Sequence, residues 1–322
     1  MAGRNAYGPL EATLADSAGL SFRELRPRLT PRYALAWFQI GCGHLALWSI
    51  VIAAAQARSA GMQLVAAVLG AIGVGYAMAY VQLFFHEAAH YLLAKDRSTN
   101  DLLANLAIGL WIGQDIRKYR PIHFAHHRDI GTADDTERTY FEALTPLFIF
   151  ESLTGIRVIK VLLLRRRALD KGIAPGSTKA AAAGSRWPLL VGLAAHGVLG
   201  LYLLWLGAYG ALAAWVLGIG TVYPFLTSLR QLLEHRALAA AGGAPVPYAE
   251  AHRMFGEGPF ASTFGGAGFN RHLLHHMEPQ ISCTRLAEVE QFLMRTSKAA
   301  WLDEHRTSYV RAFRALIVRA QR

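Results

Sequence analysis

The chain of 322 residues is 53% hydrophobic and 17% charged, with a mean hydropathy of +0.24 and a formal net charge of +11. A typical soluble domain carries about a quarter charged residues, so this balance points to a membrane protein. The two cysteines, Cys42 and Cys283, exclude a disulfide framework and an iron–sulfur cluster held by this chain's thiolates alone.

In chain order, residues 1–33 form a mixed-charge, Pro-containing tail, and no cleavable signal peptide is expected there. Residues 34–57 and 62–85 each run 24 positions without Asp, Glu, Lys or Arg, and residues 187–229 run 43. A hydrocarbon core about 30 Å thick needs about 20 helical residues. The first two runs therefore each span once, and the third divides at residues 207–210 (GAYG) into spans at 187–206 and 211–229. The expected fold is all-α: an integral membrane domain over 34–322, four transmembrane helices in two hairpins, and a cytosolic helical cap. Fifteen Lys or Arg lie between residues 86 and 186, including Arg165, Arg166 and Arg167, whereas the links within the paired spans hold only Arg58. By the positive-inside rule both termini and the central segment face the cytoplasm. The net charge then serves topology and contact with anionic lipid, and no motif points to nucleic acid. The Ala-, Gly- and Arg-rich composition suggests a bacterial inner membrane.

Between the spans, residues 102–114 are apolar but too short to cross, which predicts a re-entrant or interfacial helix. Residues 143–164 hold Glu151, Arg157 and Lys160 in an apolar background and read as helix lying along the interface with its charges on the wet face. Residues 174–185 read as a linker, and residues 286–319 as one charged amphipathic helix closing over the cytosolic part.

Eight of the thirteen histidines fall into three clusters: His86 and His90; His123, His126 and His127; His272, His275 and His276. On a helix, positions i, i+3 and i+4 share a face, so each cluster presents its imidazoles toward one point. His235, just past the fourth span, makes a ninth. All nine belong to the same side of the membrane in the expected topology. Nine nitrogen donors exceed what one four-coordinate zinc uses, and they match two metals with positions left open. The stretch from His86 to His90 also reads H-E-x-x-H, a zinc-peptidase signature with Glu87 as general base. That reading leaves both H-x-x-H-H clusters without a role. Otherwise Glu87 reads as a carboxylate that orients a ligand histidine, with Asp129, Asp134 and Asp135 as candidates for the same task. His44 and His196 read as packed within the spans, His252 and His305 as surface residues. Gln231, Trp111, Tyr140 and Tyr223 read as residues turned toward the metals or a tunnel, or simply packed.

These boxes, in this order, resemble the membrane-bound fatty acid desaturase and hydroxylase superfamily over residues 80–295. "FNRHLLHHMEP" is similar to its last box, "HFAHHRDIGTADDTE" to its middle box, and "LLEHR" occupies the place of an additional ligand. The resemblance implies a non-haem di-iron centre held by His86, His90, His123, His126, His127, His235, His272, His275 and His276, with O2 as co-substrate. It implies oxidation of an unactivated C–H bond in a fatty-acyl or similar lipid chain held in an apolar channel. Desaturation is the first expectation; the alternatives are a hydroxylase or ketolase, or a fatty acid decarboxylase forming a terminal alkene. A membrane zinc metalloprotease and a membrane metal carrier are the competing classes. The chain has no haem-binding His-Pro-Gly-Gly segment or flavin fingerprint, so electrons are expected from an external ferredoxin, rubredoxin or cytochrome with its reductase.

Overall fold

A computed structural model describes residues 9–132, 134–137, 140, 142–170, 184–236 and 252–320. Among these the regular secondary structure is helical, apart from two isolated bridges, Ala15 to Ser21 and Met254 to Arg306. After a short helical turn at Phe22–Leu25 come helices α1 (Tyr33–Ala55) and α2 (Ala60–Ala89). Helix α3 starts as Arg97–Ala104, passes through a π-helical turn at Asn105–Gly109 and ends as Leu110–Ile112. Then follow α4 (Ile116–Asp129), α5 (Pro146–Leu153) and α6 (Ile156–Asp170). Helix α7 (Trp187–Trp205) and helix α8 (Tyr209–His235, with a π-helical turn at Gly218–Val222) complete the apolar set. Among the described residues, α1, α2, α7 and α8 are the four helices long and apolar enough to cross a membrane.

The C-terminal part holds α9 (Pro259–Phe264), α10 (His272–Met277), α11 (Leu286–Leu293), α12 (Ala299–Glu304) and α13 (Tyr309–Ala320).

The apolar helices bury a shared core of Leu47, Val51, Val74, Met78, Leu203, Ala211 and Trp215. Trp48 stacks on Trp215 with centroids 5.5 Å apart, and Trp111 from α3 meets Trp48 edge-on at 5.4 Å. Outward, Leu45, Ile52, Leu64, Leu69, Val198, Leu201 and Val216 stay exposed, an apolar surface suited to lipid. Close packing rests on small residues. A Cβ built on Gly75 of α2 would lie 2.5 Å from Val222 in the π-helical turn of α8, and one on Gly192 of α7 would lie 1.9 Å from the Leu110 carbonyl oxygen of α3. Small residues at such crossings let backbones approach and gain dispersion contact where no hydrophobic effect separates helix from lipid.

Two expectations fail for local reasons. Residues 143–164 do not form one helix with charges on a wet face: Gly155, at φ +75°, separates α5 from α6, and Arg157 and Glu151 are both buried. Arg157 Nη2 lies 2.6 Å from Glu142 and 3.5 Å from Glu151, and its guanidinium sits 3.8 Å over the Phe148 ring. A charge in an apolar surround persists when paired, so these residues turn inward to each other; Lys160, half-exposed, also reaches Glu151. The C-terminal segment is three helices rather than one. Thr296 interrupts after α11, its Oγ1 donating to Leu293 O (2.8 Å) and accepting from Lys298 N (3.1 Å). Between α12 and α13 the backbone instead pairs with Met254, which donates to His305 O (3.0 Å) and accepts from Thr307 N (2.8 Å). Helix α11 packs Leu286, Val289, Phe292 and Leu293 onto Leu273, Leu274 and Met277 of α10. Most of the anticipated linker at 174–185 lies outside the described residues.

Candidate metal centre

Helix α2 carries His86 in its last turn, and His90 caps it. The chain turns sharply there, with Tyr91 at φ +62°. The helix-end carbonyls, which have no partner within the helix, are taken by side chains from elsewhere. Arg120 Nε donates to Ala89 O at 2.8 Å and its Nη2 to Ala88 O at 3.1 Å; Asn100 Nδ2 also donates to Ala88 O at 2.9 Å. Arg120 lies one turn before His123, so one guanidinium fixes the first histidine box against the second. The start of α4 is held by Asn105, in the π-helical turn of α3, whose Oδ1 accepts from Ile116 N at 2.9 Å. The third box follows a turn at Ala267 (φ +51°) and Gly268 (φ +78°), where Phe269 packs between His86 (4.6 Å) and His272 (4.8 Å).

All nine anticipated histidines come together, in two adjoining groups. His86, His90, His123, His127 and His275 form the first. His126, His235 and His276 form the second, and His272 joins them through its Nε2, 3.0 Å from the Nε2 atoms of both His235 and His276. In the first group the Nε2 of His123 lies 2.9 Å from those of His90 and His127, and the Nε2 of His275 lies 3.2 Å from that of His127. The rings of His127 and His276, 4.3 Å apart, form the shared wall.

These distances are compatible with a metal site as well as with a hydrogen-bonded chain. A ring nitrogen carries one hydrogen or one lone pair, so an Nε2 flanked by two others cannot satisfy both. Donors 2.0–2.1 Å from a metal and at right or tetrahedral angles lie about 2.9–3.4 Å apart. The observed spacings match that polyhedron edge. Both nitrogens of His86 are buried without a hydrogen-bond partner, a costly arrangement unless something other than a hydrogen bond engages the ring. Burial, with the repulsion of neighbouring imidazoles behind it, holds His90, His123, His127, His272, His275 and His276 well below the usual histidine range. They are neutral and ligand-competent at pH 7. Imidazole donors fit iron, copper, zinc and nickel alike, and two groups of this size fit two ions.

The anticipated carboxylates are placed differently. Glu87 meets the backbone of the turn after α10: its Oε2 accepts from Cys283 N at 2.9 Å and Ser282 Oγ at 3.3 Å. Through this oxygen it ties the first box to the turn that follows the third. Asp129 pairs with its neighbour Arg128 at the surface. Asp135 is the residue that reaches a ligand, accepting at 2.8 Å from His126 Nδ1, which points His126 Nε2 toward the group. Tyr140 donates to the other Asp135 oxygen and packs 5.1 Å from the His235 ring. Glu137, not anticipated, faces His123 Nδ1 at 4.0 Å and accepts from Gln231 at 3.4 Å. His44 and His196 pack within the apolar helices against carbonyls of Ala107 (2.8 Å) and Trp111 (3.2 Å). His305 is half-buried beside Trp301. His252 is no surface residue: it is 1% exposed and lies against the second group.

A cavity of about 190 Å³ opens between α2, α4, α6 and α8, lined by His86, His123, His126, His235 and His272. Its wall is mixed, not uniformly apolar: Gln82, Gln114, Thr227, Ser228 and Gln231 alternate with Ile112, Val161, Leu162, Tyr223 and Phe269.

Among its described residues the protein is helical, with four helices long and apolar enough to cross a membrane and buried histidine groups compatible with metal binding. The profile of the Fatty acid desaturase family matches residues 62–307, and the chain belongs to that family. Membership makes it a membrane-associated oxidoreductase of lipid, and no individual curated protein matches it.

Proposed function

We propose that the protein is a di-iron, O2-dependent oxidase of an unactivated C–H bond in a fatty-acyl or similar lipid chain, forming a carbon–carbon double bond. The observation that carries this reading is the convergence of imidazole Nε2 atoms into two adjoining groups on the wall of one cavity. His86, His90, His123, His127 and His275 would hold one iron and His126, His235, His272 and His276 the other. Together the pair, when bound, would supply O2 activation and an oxidant strong enough to remove hydrogen from an alkyl chain. The chain's own residues do the rest. Asp135 fixes the tautomer of His126, Glu87 locks the last box against the first, and the buried walls keep bulk water from the reacting carbon. The cavity is small beside the roughly 300–1,000 Å³ of usual small-molecule sites, so it holds the reacting segment while the remainder of the lipid extends between helices.

In this reading the spans pair as two hairpins, and the helices between and after them form a cap on the cytoplasmic face of a bacterial inner membrane. There an external ferredoxin, rubredoxin or cytochrome with its reductase delivers electrons. The test is expression in a host with suitable donors followed by mass analysis of its lipids. A product lighter by two hydrogen atoms supports desaturation. One heavier by an oxygen atom replaces it with hydroxylation, and loss of carbon dioxide with decarboxylation.

A further inference from the structure

The two groups of histidines are unequal, five against four, and one further imidazole lies against the smaller. His252 belongs to none of the three boxes and sits on a strap that crosses the end of α8. Its ring centroid lies 4.1 Å from His276, 5.2 Å from His235 and 5.9 Å from His272. Within the four-histidine group itself, His235 to His272 is 4.5 Å, His126 to His235 is 5.0 Å and His126 to His276 is 5.5 Å. By ring centroid His252 is therefore in direct contact with two members of the second group, His276 and His235, and just beyond a third, His272.

The strap is fixed rather than draped. Next to His252, the buried Arg253 donates through Nη1 to Leu233 O at 2.5 Å and through Nη2 to Arg236 O, capping the carbonyls that surround His235. Leu273 N donates to Arg253 O at 3.3 Å, tying the same point to the third box. Phe255 N donates to Asn270 O at 2.8 Å, and Asn270 Nδ2 to Gly256 O at 3.0 Å. Residue 252 is thus pinned between the helix end that carries His235 and the helix that carries His272 and His276. A charged guanidinium held inside the protein is a demanding anchor, which makes the placement of this histidine a specified feature of the fold.

We propose that His252 is a fifth imidazole donor of the second metal position, so that ten histidines divide five and five. This rests on the two-metal reading above. Its test is optical and does not depend on turnover. His252→Cys, purified in detergent and loaded with cobalt(II), places a thiolate where the imidazole stood. A sulfur-to-cobalt charge-transfer band, absent from wild type and from a His305→Cys control, is the expected result. Wild-type cobalt content with no such band overturns the proposal. If the cysteine variant does not fold, His252→Phe keeps the ring volume and is read by metal release to a chelator. Release of one of two ions accelerated at least tenfold supports the assignment, and wild-type release of both rejects it. Wild-type protein that takes up only one cobalt would instead reject the two-metal reading, a separate outcome.

Discussion

At the scale of single residues, the carboxylates around the histidines separate into those that orient a ligand and those that do not. Asp135 accepts from His126 Nδ1 through one oxygen and from the Tyr140 hydroxyl through the other, so Asp135→Asn removes the charge and turns one of these acceptors into an NH2 donor, which weakens the hold on the His126 tautomer. Such outer partners contribute about 10–100-fold in metal affinity. Chelator competition on the purified protein is therefore expected to register a loss in that range for Asp135→Asn and none for Asp129→Asn. Equal effects would contradict the geometry. The eight clustered histidines were legible in the sequence because their logic is local: spacings of three and four put them on one helical face, while His235 was legible only by its place past the fourth span. Asp135 could not be told from Asp129 and Asp134, since a loop has no period and only the fold decides which carboxylate returns to the helix. His252 was illegible for a related reason, as its neighbours His235 and His276 are brought to it by tertiary packing alone.

At the scale of elements, the apolar helices were legible as runs free of charge, and the places where they meet were not. The contact of α7 with α3 depends on Gly192 lying against the Leu110 carbonyl, where an added Cβ would come to 1.9 Å of a backbone atom. Gly197, five residues on, has open space around it. Gly192→Ala is expected to cost about 1–3 kcal/mol through forced separation of the helices, seen as a lower midpoint of thermal unfolding in detergent. Gly197→Ala is expected to be neutral or slightly stabilising, as alanine favours helix. Similar midpoints for the two variants would argue against this packing. The buried pairing of Arg157 with Glu151 was hidden because charges within an apolar run have two physical solutions, an exposed stripe or mutual neutralisation. The sequence pattern is the same for both. The C-terminal helix was misjudged because Thr296 and the pairing of Met254 with residues 305–307 break it without any glycine or proline to mark the breaks.

At the scale of the whole molecule, the concentration of buried neutral imidazoles links stability to pH. His90, His123, His127, His272, His275 and His276 titrate well below 6.5 in the folded protein, chiefly because burial penalises the imidazolium. The unfolded chain takes up protons near 6.5, so below that pH it binds more protons than the folded one and stability falls as pH falls. Each histidine kept neutral contributes a slope of up to about 1.4 kcal/mol per pH unit. Metal-free protein should therefore lose thermal stability steeply between about pH 6.5 and about pH 5 and keep it above. A flat profile across that window would show that these rings are exposed to water. Bound metal opposes the same protons, so the loaded protein should resist acid further before releasing its ions.

The most direct measurement is metal analysis of protein purified from cells grown with iron and zinc both available, joined to Mössbauer spectroscopy. Two irons per chain, in two spectroscopically distinct nitrogen-rich environments, with zinc at trace level, is the result expected of adjoining histidine groups. A single tightly held zinc, or iron in only one environment with the second group of histidines left empty, would contradict it.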